Sequence, residues 1–151
     1  MDGNSRKSIL LSAASYFENA LANIVEEFAR NSSANTMVGD LIKARVISRQ
    51  YQTWFDWDKN NANKFYQMFG DVFREHMTSL VRNRVQFDEA AKAFLEIGRD
   101  RNRLVHQDFG SFTVEKTTSE IYDQYKKARG FVEMVERELD YCCSKATTRG
   151  L

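Results

Sequence analysis

The segment GRDRNRLVHQDFG, Gly98 to Gly110, sets arginines at every second position, Arg99, Arg101 and Arg103, ahead of His106, one of only two histidines in the chain. Around this polar block the apolar residues keep helical steps: Ala90/Ala91, Phe94/Leu95 and Ile97 before it, Leu104/Val105 near its end. Such recurrence at three- and four-residue intervals marks one face of a helix. Asp88 reads as its N-cap, with Ala91 as the third helical position. Gln107-Asp108-Phe109-Gly110 reads as the stop, with Gly110 available for a left-handed cap. A helix that only packs into a core has no reason to gather guanidinium groups between two apolar pairs. The block therefore points to a site in the last turns of a helix, next to a loop.

Within the block the hexamer RNRLVH, Arg101 to His106, joins an arginine, an amide and a histidine. Arginine presents a permanent cation with five donors, and histidine exchanges a proton near neutrality. One group can clamp a developing negative charge while the other moves the proton, which is enough to cleave a phosphodiester without a metal. Residues five apart on a regular helix lie about 140° apart around the axis and about 7.5 Å along it. Arg101 and His106 thus meet on one phosphate only if the helix ends or bends between them, or if a second chain supplies the missing group.

Outward from the motif, the chain reads as a series of amphipathic helices. Ser5 to Arg30 carries Ile9, Ala13, Tyr16/Phe17, Ala20/Leu21, Ile24/Val25 and Phe28 at helical steps, and Asn31 to Asn35 reads as a loop. Glu18 reads first as a solvated helix charge, with an acid facing the motif as the sharper alternative. Met37 to Trp57 reads as a second helix, or two short ones broken near Gly39. Its Tyr51, Trp54 and Phe55, interleaved with Lys43, Arg45 and Arg49, read as core in preference to an RNA-stacking surface. Residues 58–63 form a polar loop suited to capping the next helix, Lys64 to Arg84, in which Gly70 either interrupts or permits close packing. His76 lacks an accompanying motif. Arg82-Asn83-Arg84 repeats Arg-Asn-Arg without a histidine at the matching distance, which leaves it a structural or RNA-contacting role. Thr117-Thr118-Ser119-Glu120 is a capping-box pattern opening the last helix. That helix carries Ile121/Tyr122, Tyr125, Ala128, Phe131/Val132, Val135 and Leu139, and Lys145 to Leu151 reads as a fraying tail.

The 151 residues suit a single domain, ordered over about residues 5–143, that buries a sizeable core. The absence of proline and the scattering of seven glycines favour helices over a turn-rich β sandwich. With 22 Lys+Arg against 21 Asp+Glu there is no bulk cationic field, so any nucleic-acid contact must be local. No apolar run approaches the roughly 20 residues of a membrane span, and MDGNSRKSIL lacks a signal pattern. Cys142 and Cys143 are adjacent, with no spaced Cys/His set for zinc and no disulfide framework. The expectation is a cytoplasmic protein with no cofactor, no metal and no membrane association. Asp100 and Asp108 are not at ligand spacing on one helix face.

RNRLVH resembles the signature of the HEPN superfamily: an arginine, four to six residues and a histidine, often with a polar residue directly after the arginine. FLEIGRDRNRLVHQDF (Phe94–Phe109), KTTSEIYDQYKKARGFVE (Lys116–Glu133), YQTWFDW (Tyr51–Trp57) and KFYQMFG (Lys64–Gly70) resemble the RiboL-PSP branch of that superfamily, over most of the chain. Arg99 also fits the pattern, with six residues before His106, but the adjacent Asn102 favours Arg101. The resemblance implies an all-α fold, here an up-and-down bundle of four to five helices, and a homodimer that brings two motifs together. It further implies metal-independent endoribonuclease activity leaving 2′,3′-cyclic phosphate ends, in a toxin or phage-defence setting with an antitoxin or associated defence protein as possible partner. On this reading Arg101, His106 and Asn102 are catalytic, and Arg99 and Arg103 hold the RNA backbone or pair with Asp100 and Asp108. Two alternatives stay open: a non-catalytic helical RNA- or nucleotide-binding module, sensitive to the arginines but indifferent to His106, and a protein-interaction module, which would copurify with its partner.

Overall fold

The computed structural model describes residues 3–107 and 110–149, with side chains through 145. Four long helices carry the fold: α1 (Gly3–Asn31), α4 (Asp71–Asn83), α5 (Val85–His106) and α6 (Thr118–Arg149). Two short helices, α2 (Thr36–Ile42) and α3 (Asn63–Gln67), lie between α1 and α4. No strand occurs among the described residues, so the chain is an all-α bundle. Asp108 and Phe109, part of the expected stop signal, lie outside the described residues.

Contacts between named side chains set the directions of the helices. Lys116, just ahead of α6, reaches Glu96 and Asp100 of α5, and Arg137 on α6 stacks its guanidinium over Phe87 near the start of α5. α6 thus runs antiparallel to α5. Phe17 meets Tyr125, and Ser32 meets Cys143, so α1 runs parallel to α6. The core lies where the three converge, on Leu10, Phe17, Leu21, Phe94, Leu95, Ile97, Phe131 and Val135. Rings interlock there: Phe94 lies 4.5 Å from Phe131, 5.8 Å from Phe17 and 5.1 Å from Phe55. Each such pair adds about 0.5–1.5 kcal/mol beyond the area it buries.

Local chemistry accounts for most of the boundaries. The capping box closes as written: the Thr117 amide donates to Glu120 Oε2 (2.7 Å), and the Glu120 amide donates to Thr117 Oγ1 (3.1 Å). Gly70, at φ 97°, breaks the expected single helix over 64–84 into α3 and α4, a backbone state that glycine enters without a Cβ penalty. The polar loop does not cap α3 through its N-cap residue, which is Ala62 and makes no side-chain bond; the Asn63 amide instead donates to Asn61 Oδ1 (3.2 Å). α6 continues to Arg149, past Lys145 where the sequence reads as fraying.

Three boundaries differ from expectation. α5 starts at Val85, because a single extended residue, Arg84 (φ −134°, ψ 111°), separates it from α4. Asp88 therefore sits inside the first turns and pairs with Lys92 at 2.8 Å instead of capping. At the other end Gln107 caps α5, which leaves Gly110 three residues beyond the cap. The segment after α2 passes through a π turn (Lys43–Ile47) and a 3-10 turn (Tyr51–Thr53), and its break falls at Arg49 (φ 61°) and not at Gly39. Gly39 stays helical and buried under Arg30, whose Nη1 would lie 2.8 Å from an added Cβ. Tyr51, Trp54 and Phe55 are core as expected, at 7%, 2% and 2% exposure. The Trp54 indole N–H donates to Val46 O (2.9 Å), so its one polar atom is satisfied inside the core.

Candidate active site

The last turns of α5 carry the arginine-rich block past the edge of the core, and Leu104 (1% exposed) anchors them. Beyond Leu104 the helix leaves the apolar layer, and Val105, His106 and Gln107 are exposed. A cleft of about 580 Å³ opens beside them, with Asn102, Arg103 and His106 on one wall. Asp56, Trp57, Asp58 and Lys64 form much of the rest, with Arg99 at its edge. His106 is exposed and lines the cleft, and its ring makes no hydrogen bond or ion pair among the described residues.

Arg101 is part of a different opening. It lines a narrow crevice with Glu18, Tyr51, Trp57 and Gly98, while its Nη1 donates to Asn102 Oδ1 (3.1 Å). Asn102 thus touches Arg101 and also lines the His106 cleft, and the Trp57 indole stands between the two openings. This is the separation that five residues on a regular helix require. Glu18 is half-buried and lines the crevice with Arg101, where α1 packs on α5. The Tyr51 hydroxyl is held well above its ordinary pKa, first by burial and then by the Glu18 charge, with Arg101 opposing.

The remaining members of the block have identifiable partners. Arg99 Nε donates to the Trp57 carbonyl (2.8 Å) and its Nη2 donates to Lys59 O (3.2 Å), which ties the segment after the 3-10 turn to α5. Arg103, mostly exposed, lies 3.7 Å from Asp100. Asp100 is engaged more closely by Lys116 (2.7 Å), which also holds Glu96 (2.8 Å). Burial works against the Lys116 charge, but the hydrogen bonds to Asp100 and Glu96 outweigh it and raise its pKa. That clamp fixes the chain after the motif against α5 just before the catalytic candidates. The expected pairing of an arginine with Asp108 lies outside the described residues. Among the described residues no three His, Cys, Asp or Glu side chains converge as a metal-binding group.

Sequence reasoning did not find Trp57 or its seat. The indole N–H donates to Gln52 O (3.1 Å), and the ring lies so close over Gly98 that a Cβ there would fall 1.9 Å from Cζ3. The available signal was a glycine inside an otherwise helical pattern, which usually has a packing reason. His76, which has no accompanying motif, bonds Glu138 at 2.8 Å and stacks on Tyr141, joining α4 to α6.

The end of α5 thus sets an Arg-Asn pair and an exposed histidine beside a polar cleft of a helical bundle. The chain belongs to the RiboL-PSP-HEPN family, whose family model matches residues 3–141. No curated protein and no solved structure matches it. No helix among the described residues is long and apolar enough to cross a membrane.

Proposed function

We propose that the protein is a metal-independent endoribonuclease that cleaves RNA to 2′,3′-cyclic phosphate and 5′-hydroxyl ends. The observation that carries this reading is the exposed His106 lining a polar cleft beside Asn102 and Arg103, at the end of a helix whose Arg101 is bonded to Asn102. In the reaction the RNA 2′-hydroxyl loses its proton to one His106 as its oxygen attacks the adjacent phosphorus. The P–O5′ bond breaks, and the leaving oxygen takes up a proton. Arg101 stabilises the extra negative charge on the phosphorane through charge-assisted hydrogen bonds. Asn102 orients that guanidinium, and Arg103 holds a neighbouring phosphate. Arg99, already committed to two carbonyls, acts mainly by holding the Trp57 wall in place.

Because Arg101 and His106 open onto different crevices of one chain, the complete site is a homodimer in which two motifs face one another. The cytoplasm, a toxin or phage-defence role and an antitoxin-like partner belong to this proposal through family analogy. The test is cleavage of a labelled mixed-sequence RNA in excess EDTA by wild type, His106→Ala and Arg101→Ala. Cyclic-phosphate ends from wild type, lost in both variants, are expected. If no protein cuts any RNA offered, total tRNA included, the non-catalytic binding module replaces this reading. Equal cutting by all three would assign the activity to a contaminant.

A further inference from the structure

The short helix α2 (Thr36–Ile42) packs on α1, and its amphipathicity is reversed. Its one buried residue is Gly39, which lies under Arg30 of α1, while Met37, Val38 and Leu41 are 70%, 42% and 60% exposed. We infer that this outer face of α2 docks an acidic amphipathic helix of a partner protein, with Met37, Val38 and Leu41 as the apolar seat and Arg45 and Arg49 as its cationic border. The inference neither needs the ribonuclease reading nor depends on His106.

The first observation is geometric. Residues two apart on a helix point to nearly opposite sides, so burying Gly39 turns Met37 and Leu41 outward, and Val38 lies within about 100° of both. A helix held to its own chain alone would bury its methionine and leucine and leave the glycine out. Among the described residues no other stretch of five exposes three large apolar side chains. Single exposed apolar residues are ordinary, but a contiguous group marks an interaction site.

The second observation is charge, and it selects the occupant. Asp40 and Lys43 are held to α1, Asp40 by Arg30 (3.2 Å) and Lys43 by Glu26 (3.2 Å). Arg45, in the π turn directly after α2, and Arg49 beyond it are exposed and form no ion pair among the described residues. On α2 and the turn after it, the uncommitted charges are thus both positive. A second copy of this chain, docked across a two-fold axis, would bring both pairs of arginines onto one interface, where like charges oppose association. A bilayer would gain only three short side chains from a helix about 10 Å long, less apolar matter than one myristoyl chain, whose membrane binding is itself marginal. RNA offers phosphates to the arginines but no aliphatic surface to Met37 and Leu41. An acidic amphipathic helix satisfies both parts: its apolar stripe seats on α2, and carboxylates along the edge of that stripe meet Arg45 and Arg49.

The test is titration of the full chain into a fluorescein-labelled synthetic helix with leucines at i, i+4 and i+7 edged by glutamates, followed by fluorescence anisotropy. The controls are the same composition scrambled and the same helix edged by lysines. Wild type is expected to bind the acidic helix, more weakly as salt rises, and to bind neither control. Leu41→Ser should weaken binding about tenfold or more, the worth of burying one leucine. Arg45→Glu combined with Arg49→Glu should also weaken it and remove the salt dependence. These side chains are exposed, so an unchanged melting temperature shows that the variants are folded. No binding by wild type, equal binding of either control helix, or equal binding by Leu41→Ser would each overturn the docking face. Three further outcomes would overturn it by assigning the face elsewhere. A wild-type dimer that Leu41→Ser turns into a monomer on sedimentation assigns it to a second copy. Flotation of wild type, but not of Leu41→Ser, with phosphatidylglycerol vesicles assigns it to a membrane. Binding of a labelled single-stranded RNA that Leu41→Ser loses assigns it to nucleic acid.

Discussion

Replacing Gly98 by alanine tests the wall between the two crevices. The new Cβ would lie 1.9 Å from Trp57 Cζ3, 2.4 Å from Cε3 and 2.7 Å from Cη2. Carbon atoms rest at about 3.5 Å or more, so the indole must retreat by roughly 1.6 Å. It is held on three sides, by Phe55 (4.9 Å between centroids), Tyr51 (5.9 Å) and Phe94 (6.0 Å), and by its N–H bond to Gln52 O. Forcing extra volume into such packing costs about 1–3 kcal/mol, and a lost indole hydrogen bond adds about 1 kcal/mol. Better helix propensity returns up to about 1 kcal/mol. The net expectation is a loss of about 1–3 kcal/mol, or a fall of roughly 2–10 °C in melting temperature for a chain of this size. Gly130→Ala is the matched control. Its Cβ would meet only Ala90 Cβ, at an ordinary 3.6 Å, so the same propensity gain should appear there without strain. Urea denaturation of both variants, with near-ultraviolet circular dichroism to follow the tryptophans, reads the difference. A Gly98→Ala protein as stable as Gly130→Ala, with an unchanged tryptophan spectrum, would refute the argument that Trp57 is seated on Gly98.

Two further expectations concern stability. Tyr51 and Tyr66 hold raised pKa values, mainly through burial, and Lys116 does so because its bonds to Asp100 and Glu96 outweigh burial. The folded chain therefore keeps these protons longer than the unfolded one. Their contribution is whole below about pH 10 and is lost as pH rises beyond it. Urea midpoints measured from about pH 8 to about pH 11 should fall at the alkaline end, and less steeply in Tyr66→Phe; parallel curves for wild type and variant would show that Tyr66 takes no part. Thr117→Ala removes one half of the capping box and should cost about 1 kcal/mol by chemical denaturation. No measurable change would mean that Lys116 alone holds the start of α6.

How much could be read in advance depended on how local each feature is. The helix over α5 and the capping box before α6 rest on neighbours within a turn or two, and both are present, while at Gly70 the structure decides for interruption over close packing. Asp88 does not cap α5 because the helix starts earlier, straight after the extended Arg84, where no capping side chain marks it. Of the two readings for residues 37–57, one helix or two broken near Gly39, neither places the break, which falls at Arg49 while Gly39 stays helical beneath Arg30.

The candidate site divides in the same way. Arg101, Asn102, Arg103 and His106 were legible because the residue types and their spacing on one helix already state their relative directions, including that Arg101 and His106 diverge. Their surroundings were not. Glu18 beside Arg101 and Arg99 spent on the carbonyls of Trp57 and Lys59 each depend on residues tens of positions away. Helical periodicity and capping are short-range, so the order of residues alone implies an all-helical chain with its polar block at a helix end. Which arginine braces a wall, which acid lies beside Arg101 and where the cavities open follow instead from how α1, α5 and the segment after α2 pack, and no local rule encodes that packing.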